Sequence, residues 1–371
     1  MRIAVLTLPL HTNYGGILQA YALQTVLKRM GHEVWLIDSP PRRIETQLYE
    51  YPFLFIKRLY QKFFLKWNIK IFPEFSRNIL YPIVSSRIRI FISEQIKKID
   101  VYDFGTIDKS DFDAIIVGSD QIWRPAYYPN IENAFLSFAK DWNIKRIAYA
   151  VSFGTDSWEF SKFETDRCMN LIKQFDFVSV REDMGVFFCE KYFDVKATHV
   201  VDPTLLLNES DYSFLISKFN LKKKFKGVLV YILDNTREKQ EIVSYWSNRL
   251  NLPLFKVDKI GVKSPFLYKR IHPSVEEWLY GFKNASYVVT DSFHGCVFSV
   301  IFKKPFVVIE NENRGNSRLI SLLKLLKLEH RLVRNLNDNY CIEEKIDYKR
   351  VYNLLNVFVE KSQNLLNNAL K

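Results

Sequence analysis

The sequence predicts an α/β protein made of two successive halves, with a helical insertion in the first. Three observations predict it. Residues 2–38 run as apolar strand, glycine-bearing loop, amphipathic helix and apolar strand, which is a βαβ unit. The same alternation returns after residue 100 and again after residue 226. A chain of 371 residues, at roughly 100–200 residues per domain, also suits two domains.

Taken in order, RIAVLTL is short and unbrokenly apolar, as a parallel strand covered on both faces should be. The loop PLHTNYGG leads into ILQAYALQTVLKRM, where Ile17, Ala20, Tyr21, Leu23 and Leu27 fall on one helical face. Gly31 stands where a helix ends on a left-handed glycine, and EVWLID is the second strand. Residues 41–100 then break the pattern and form the insertion. DAIIVGSD (113–120), RIAYAVSFG (146–154), FVSVRED (177–183) and ATHVVDPTLLL (197–207) each carry a strand to a polar or glycine-bearing turn. Such strand ends are where open α/β sheets bind ligands. After the basic stretch LKKKFK (221–226), GVLVYILD, EKQEIVSYWSNRL and LPLFKVD give strand, helix and strand. SVEEWLYGFKNA is a helix with Ser274 at its N-cap and Glu277 at the capping-box position. SYVVTDSFHG, CVFSVIFK and PFVVI give strand, helix and strand, and the tail from about 346 is helical. The expected units are residues 1–207, 208–345 and a terminal helix, 346–371.

A composition of 48% hydrophobic and 15% aromatic residues excludes a disordered chain. The net charge of +12 points to an anionic partner: nucleic acid, anionic lipid or a phosphorylated small molecule. No nucleic-acid motif accompanies it, so nucleic acid is not expected. The insertion alone holds twelve Lys/Arg against five Asp/Glu, with twelve aromatics. It is either a packed segment with solvated charge or a face for an anionic membrane surface. Cys168, Cys189, Cys296 and Cys341 form no CxxC pair, and no histidine lies at metal-ligand spacing. A reducing cytoplasm without a metal site or disulfide framework follows. MRIAVLTLPL has one basic residue and no cleavage site, so it is a first strand and not a signal peptide. No apolar run approaches the roughly 18 residues of a membrane span.

The chemistry concentrates in TDSFHG (290–295), between a strand and a helix. Free N–H groups and the helix dipole suit an anion there. His294 would stay neutral in isolation and gain a proton beside a bound phosphate. The plainer alternative is that Asp291 or Ser292 only caps the helix. ENENRGNSRL (310–319) presents Arg314, expected in a solvated loop, and Arg318, at a helix start where it can face a cleft. Arg181 in VSVRED either meets a ligand or pairs with Glu182 or Asp183 at the surface. In NYGG, Asn13, Tyr14 and the pair Gly15 and Gly16 let a ligand approach the backbone; this is not a dinucleotide fingerprint. Asp120, Gln121 and Trp123 of GSDQIW either suit a sugar or begin a capped helix.

Together these motifs resemble the polysaccharide pyruvyl transferase family. The resemblance rests on NYGGILQAYALQ, IIVGSDQIW, AYAVSFG, SVRED, VVDPTLLL, VVTDSFHGCVFSVIFKKPFVVI and NSRLISLL, in that order over roughly residues 1–335. The insertion lies outside it, and Cys296 replaces the family's usual threonine.

The resemblance implies a GT-B-like fold, two Rossmann-like domains facing across a cleft. It implies transfer of pyruvate from phosphoenolpyruvate to two hydroxyls of one sugar, forming a ketal and releasing phosphate, with no metal or organic cofactor. It places the protein in capsule or exopolysaccharide synthesis, at the cytoplasmic face of a membrane if the acceptor is lipid-linked. His294 is then the acid. Arg181, Ser292, Gly295, Lys304 and Arg318 hold the donor, and Asn13–Gly16 with Asp120, Gln121 and Trp123 hold the acceptor. The alternatives are a glycosyltransferase using a nucleotide-activated sugar, and a non-enzymatic glycan- or membrane-binding protein.

Overall fold

The apolar runs of the first half become seven parallel strands: β1 (Arg2–Leu6), β2 (Glu33–Asp38), β3 (Lys98–Asp100), β4 (Ala114–Gly118), β5 (Lys145–Val151), β6 (Phe177–Val180) and β7 (Thr198–His199). The computed structural model describes residues 1–218, 225–258, 266–311, 314–338, 342 and 345–371. Within LKKKFK, residues 221–224 therefore lie outside the described residues, as do Glu312, Asn313 and Cys341. The sheet order is β3-β2-β1-β4-β5-β6-β7. It reverses direction between β1 and β4, where the two strands pair from Ile3↔Ala114 to Leu6↔Val117. A crevice opens at such a reversal, beyond the carboxyl ends of the strands.

The second half repeats this with β8 (Val228–Tyr231), β9 (Leu254–Phe255), β10 (Tyr287–Thr290), β11 (Phe306–Ile309) and β12 (Leu332–Val333), in the order β12-β11-β10-β8-β9, all parallel. Its reversal falls between β8 and β10. The fold is α/β, two Rossmann-like domains with their reversal points turned to a shared cleft.

The helices are α1 (Tyr14–Arg29), α2 (Tyr51–Phe63), α3 (Tyr81–Val84), α4 (Ser86–Gln95), α5 (Lys162–Ile172), α6 (Asp183–Phe193), α7 (Glu209–Ser217), α8 (Arg237–Leu250), α9 (Val275–Asn284), α10 (Phe293–Ile301), α11 (Ser317–Leu326) and α12 (Tyr348–Leu370). Gly31, at φ 88°, ends α1 with its N–H on the Lys28 carbonyl. Ser274 and Glu277 close a reciprocal capping box on α9. One apolar cluster runs from α1 and β1 into α9 and α10, so the domains share a core across the cleft floor. The terminal helix α12 straps them further. Its first turns bond to the end of α10 through Tyr352 Oη and the Ile301 carbonyl (2.9 Å). Farther along, Ser362 Oγ accepts from Val201 N (3.1 Å) in the first domain.

The insertion is mainly helical, as its sequence predicts, but its last residues, Lys98–Asp100, are strand β3, paired with β2 in the first sheet. Its two ends behave differently. α4 buries Ile88, Phe91 and Ile92, with Phe91 against Tyr21 of α1, whereas α2 buries no residue. Cys168, Cys189 and Cys296 are buried and unbridged. Among the described residues no helix is long and apolar enough to cross a membrane.

Candidate active site in the interdomain cleft

A cleft of about 490 Å³ lies between the two reversal points. The first domain supplies His11–Tyr14 after β1, and Asp120 and Gln121 after β4. The second supplies Tyr231 at the end of β8 and Leu233 beyond it, the run Asp291–His294 after β10, and Arg314, Gly315 and Arg318 around the start of α11.

Three helix N-termini line this cleft, those of α1, α10 and α11, and none carries an acidic residue in its first turn. Each end offers unpaired N–H groups and a partial positive charge. Ser292, not Asp291, caps α10, its Oγ accepting from Gly295 N (3.4 Å). Asp291 instead braces the loop: it accepts from Leu233 N (2.7 Å), Lys239 Nζ (2.6 Å) and Asn311 Nδ2 (2.9 Å). A Cβ on Gly295 would lie 2.2 Å from Thr290 Oγ1, so only glycine lets α10 start this close to β10.

His294 is buried and reaches across to the first domain. Its Nε2 lies 3.8 Å from the Asp202 carboxylate, without a hydrogen bond. Its other ring nitrogen sits over Gly15, where a Cβ would come within 2.0 Å of Nδ1. The glycine of NYGG thus makes room for an imidazole rather than for a ligand. Gly16 faces the side chains of Asp120 and Asn13. Burial first, then the charges of Arg181 and Arg318, outweigh Asp202 and Asp120 and lower the His294 pKa to about 4. With that value the ring is neutral at pH 7.

Beneath it lies a buried ionic cluster. Arg181 donates to Asp202 (2.7 Å) and Asp120 (3.1 Å), with Glu182 at 3.9 Å. The predicted surface pairing with Glu182 exists, but wholly inside the protein. Glu182 also takes Ser152 Oγ, Phe153 N and Gly154 N on one oxygen, pinning the SFG turn. Burial lowers the Arg181 pKa, but its three carboxylates raise it more. Burial likewise pushes Asp202 up; His294 when charged, Arg181 and Thr204 hold it at about 2. Asp120 is held low by Arg181 against its burial. Its backbone is left-handed, φ 62°, which aspartate tolerates and which turns the carboxylate toward Arg181 and Asn13.

Arg318 differs from Arg181. It is buried, and among the described residues it forms no ion pair. One nitrogen donates to the Arg314 carbonyl (2.9 Å) and Nε has no partner. Burial and then Arg181 lower its pKa to about 10, so it remains charged at neutral pH. Phe293 lies between the two guanidiniums, 4.9 Å from Arg181 and 5.8 Å from Arg318. Arg314 also borders the cleft, paired with Asp234 at 2.6 Å.

Several predicted site residues stand elsewhere. Trp123 is in the core, stacked on Phe135 at 4.5 Å with Nε1 donating to the Ala134 carbonyl; it cannot face a sugar. In GSDQIW, Gly118 ends β4 and residues 119–123 form bends and turns, not a helix start. Lys304 follows the far end of α10, roughly 13 Å along the helix from the cleft at 1.5 Å per residue. Gly295 and Arg181 lie behind the lining. Tyr14 lines the cleft, but its hydroxyl donates to the Pro273 carbonyl (2.8 Å), a strut between domains. Gln121 donates to the Gly154 carbonyl at 3.2 Å. Sequence reasoning missed His11 and Thr12 on the first-domain wall, Asp258 and His272 on the second, and Asp202 beneath His294. Only the position of Asp202 at the end of the predicted strand in VVDPTLLL could have flagged it.

The buried imidazole makes stability pH-dependent. Its folded pKa of about 4 lies below the ordinary 6.5, so the unfolded chain binds the extra proton between those values. Stability is full above pH 6.5 and falls as pH drops toward 4, by about 3 kcal/mol at roughly 1.4 kcal/mol per pH unit. Asp202 adds a further loss from 3.8 down to about 2. Urea unfolding of wild type and His294→Gln at pH 7, 5.5 and 4.5 should show a shallower decline in the variant.

Two Rossmann-like domains closed on a cleft lined by helix N-termini and by Arg318, a buried arginine without an ion pair among the described residues, define a GT-B-like architecture. The sequence matches the family model "Polysaccharide pyruvyl transferase" over residues 13–313, and the chain belongs to that family of transferases. No curated protein matches the sequence. Among solved structures, the chain is similar to the N-terminal domain of Candida albicans trehalose-6-phosphate phosphatase (TM-score 0.50, 12% identity, covering 100% of this chain and 96% of that one). Arabidopsis thaliana UGT89C1 complexed with UDP-L-rhamnose (0.49, 9%, 98% and 98%) and UDP-GlcNAc 2-epimerase from Methanocaldococcus jannaschii (0.45, 11%, 98% and 94%) are also similar. At these identities the likeness concerns fold alone.

Proposed function

We propose that the cleft binds phosphoenolpyruvate and transfers its pyruvyl group to two hydroxyls of a sugar, with no metal or organic cofactor. The observation that carries this is Arg318: a buried guanidinium without an ion pair among the described residues, set among three helix N-termini and beside His294. Arg318 and the α10 and α11 N-termini hold phosphate and carboxylate, Ser292 positions the α10 turn, and Arg181 acts from behind through Asp120 and Asp202. The buried cluster already sets three carboxylates against two guanidiniums. A donor adding two or three negative charges favours a proton on His294.

In the reaction that proton goes to the enol carbon, making it a methyl group and leaving an oxocarbenium centre. One sugar hydroxyl adds there and loses its proton to restore the cluster. The carbon–oxygen bond to phosphate then breaks, and the second hydroxyl closes the ketal as its proton leaves with phosphate. The acceptor lies toward His11, Thr12, Asn13, Asp120, Gln121 and His272. It is a glycan carried on a lipid at the cytoplasmic face of an anionic membrane, which the basic insertion between residues 41 and 100 contacts.

Thermal melting tests the donor. Phosphoenolpyruvate at 100 times its Kd adds about 2.7 kcal/mol of stability. Arg318→Ala should abolish that shift. A shift with nucleotide sugars and none with phosphoenolpyruvate would replace this reading with a glycosyltransferase. No shift with either would favour a binding protein without this chemistry.

A further inference from the structure

The insertion carries a second surface, unrelated to the anion site. Of the 28 large apolar side chains that stand exposed among the described residues, 14 fall between Tyr49 and Ile83. Their arrangement is regular. In α2, Phe53, Ile56, Tyr60 and Phe63 recur at three- and four-residue intervals, so they form one stripe. They are 70%, 66%, 54% and 65% exposed. Phe64 and Trp67 continue past the helix end and are exposed as well. Lys57, Arg58, Gln61 and Lys62 take the other side of the helix.

This is an ordered surface. Arg58 reaches back to Glu74 through two bonds, 2.6 and 2.9 Å, and fastens α2 to the turn at Ile71–Glu74. Phe55 stacks on Phe72 at 5.5 Å. Between these elements a shallow apolar groove of about 340 Å³ opens outward. A helix of 13 residues with no buried side chain gains nothing from its apolar stripe inside this fold.

Charge identifies what covers it. Lys57, Lys62, Lys66, Lys70 and Arg77 are exposed around the stripe. The two carboxylates between Tyr49 and Ile83 are occupied: Glu50 is half-buried and accepts from Gln47 N, and Glu74 is held by Arg58. A symmetric contact between two copies would set these cations against each other. A bilayer surface of anionic phospholipid meets both demands, taking the aromatics at the acyl boundary and the lysines at the phosphates.

We infer that α2 and the turn after it, residues 49–79, form an interfacial anchor that lies in the headgroup layer of an anionic membrane. This deepens the acceptor reading above but does not depend on the donor. The root of the insertion also reaches the cleft wall. Val84 O accepts from the backbone N–H of His272, a lining residue, at 2.9 Å, and Arg87 pairs with Glu277 of α9 at 3.1 Å. The anchor therefore connects rigidly to the acceptor side of the cleft.

Flotation of the full chain tests this. Vesicles of phosphatidylglycerol and phosphatidylcholine in equal parts should carry the protein up, and vesicles of phosphatidylcholine alone should leave it behind. The triple variant Lys57→Glu, Lys62→Glu, Lys66→Glu should lower partitioning at least tenfold, given roughly fivefold for each cation near an anionic surface. Phe53→Ser, Ile56→Ser, Phe63→Ser should lower it comparably. All six positions are exposed, and unchanged melting temperatures verify the fold. Wild-type protein that stays down with anionic vesicles would overturn the inference. So would a wild-type dimer that the serine variant converts to monomer, because a second copy would then cover the stripe. Binding that salt abolishes but the serine variant retains would reduce the anchor to charge alone and overturn its interfacial seat.

Discussion

Replacing His294 with glutamine should lower turnover by about 10²- to 10⁴-fold with the fold intact, the range of a positioned acid or base. The measurement is phosphate release from phosphoenolpyruvate with a sugar acceptor present. Burial sets the resting state of the ring. At a pKa of about 4 the ring is neutral at pH 7, so it cannot protonate carbon until something raises that value. The nearest cations, Arg181 and Arg318, lower it further. An anionic donor over Arg318 reverses the balance by cancelling that cation and adding its own charge. Donor binding then takes up a proton. Affinity should fall as pH rises from about 4 to the pKa of the bound state, and level off above it. Glutamine at 294 should erase that slope, which a purely structural role for the ring would not do. Near-wild-type turnover in the variant would remove His294 from the chemistry.

The strands were the most legible part of the sequence because parallel strands buried on both faces need unbroken apolar runs, and RIAVL and AIIVG have them. The caps were legible for a local reason: Ser274 and Glu277 satisfy each other three residues apart. His294 stood out because its neighbours share one helix start. Its partners did not, since Asp202 and Gly15 approach it from the other domain and only the closed cleft unites them. Trp123 was misplaced for a related reason. Its polar neighbours Asp120 and Gln121 face the cleft, and the tight turn after β4 sends the indole the opposite way, into the core. Composition was equally blind to exposure. Aromatics and lysines in the insertion fit a packed segment as well as a membrane face, and the sequence does not show that α2 buries none of its residues.

Arg181→Met should destabilise the protein by about 3–5 kcal/mol at pH 7, the usual loss when one partner of a buried ion pair is removed. Methionine nearly fills the space, so the cost is chiefly electrostatic. Asp120, Asp202 and Glu182 would share one buried region, with Arg318 the nearest remaining cation in the cluster. The protonated forms of Asp120 and Asp202 become favourable there, because burial already pushes both upward and Arg181 counters it. The sign with pH follows. In wild type these aspartates sit below their unfolded values, so acid weakens the fold. In the variant they would sit above them, so acid relieves the strain and the difference between the two proteins narrows as pH falls. Urea unfolding of both at pH 7 and pH 5 measures this. A constant difference would mean that Arg181 contributes packing alone. Arg181→Lys refines the result: it keeps the charge but loses the fork that bridges Asp202 and Asp120, and should recover only part of the loss. If both variants melt like wild type, the cluster does not hold His294 against the first domain, and the cleft geometry must come from the shared apolar core instead.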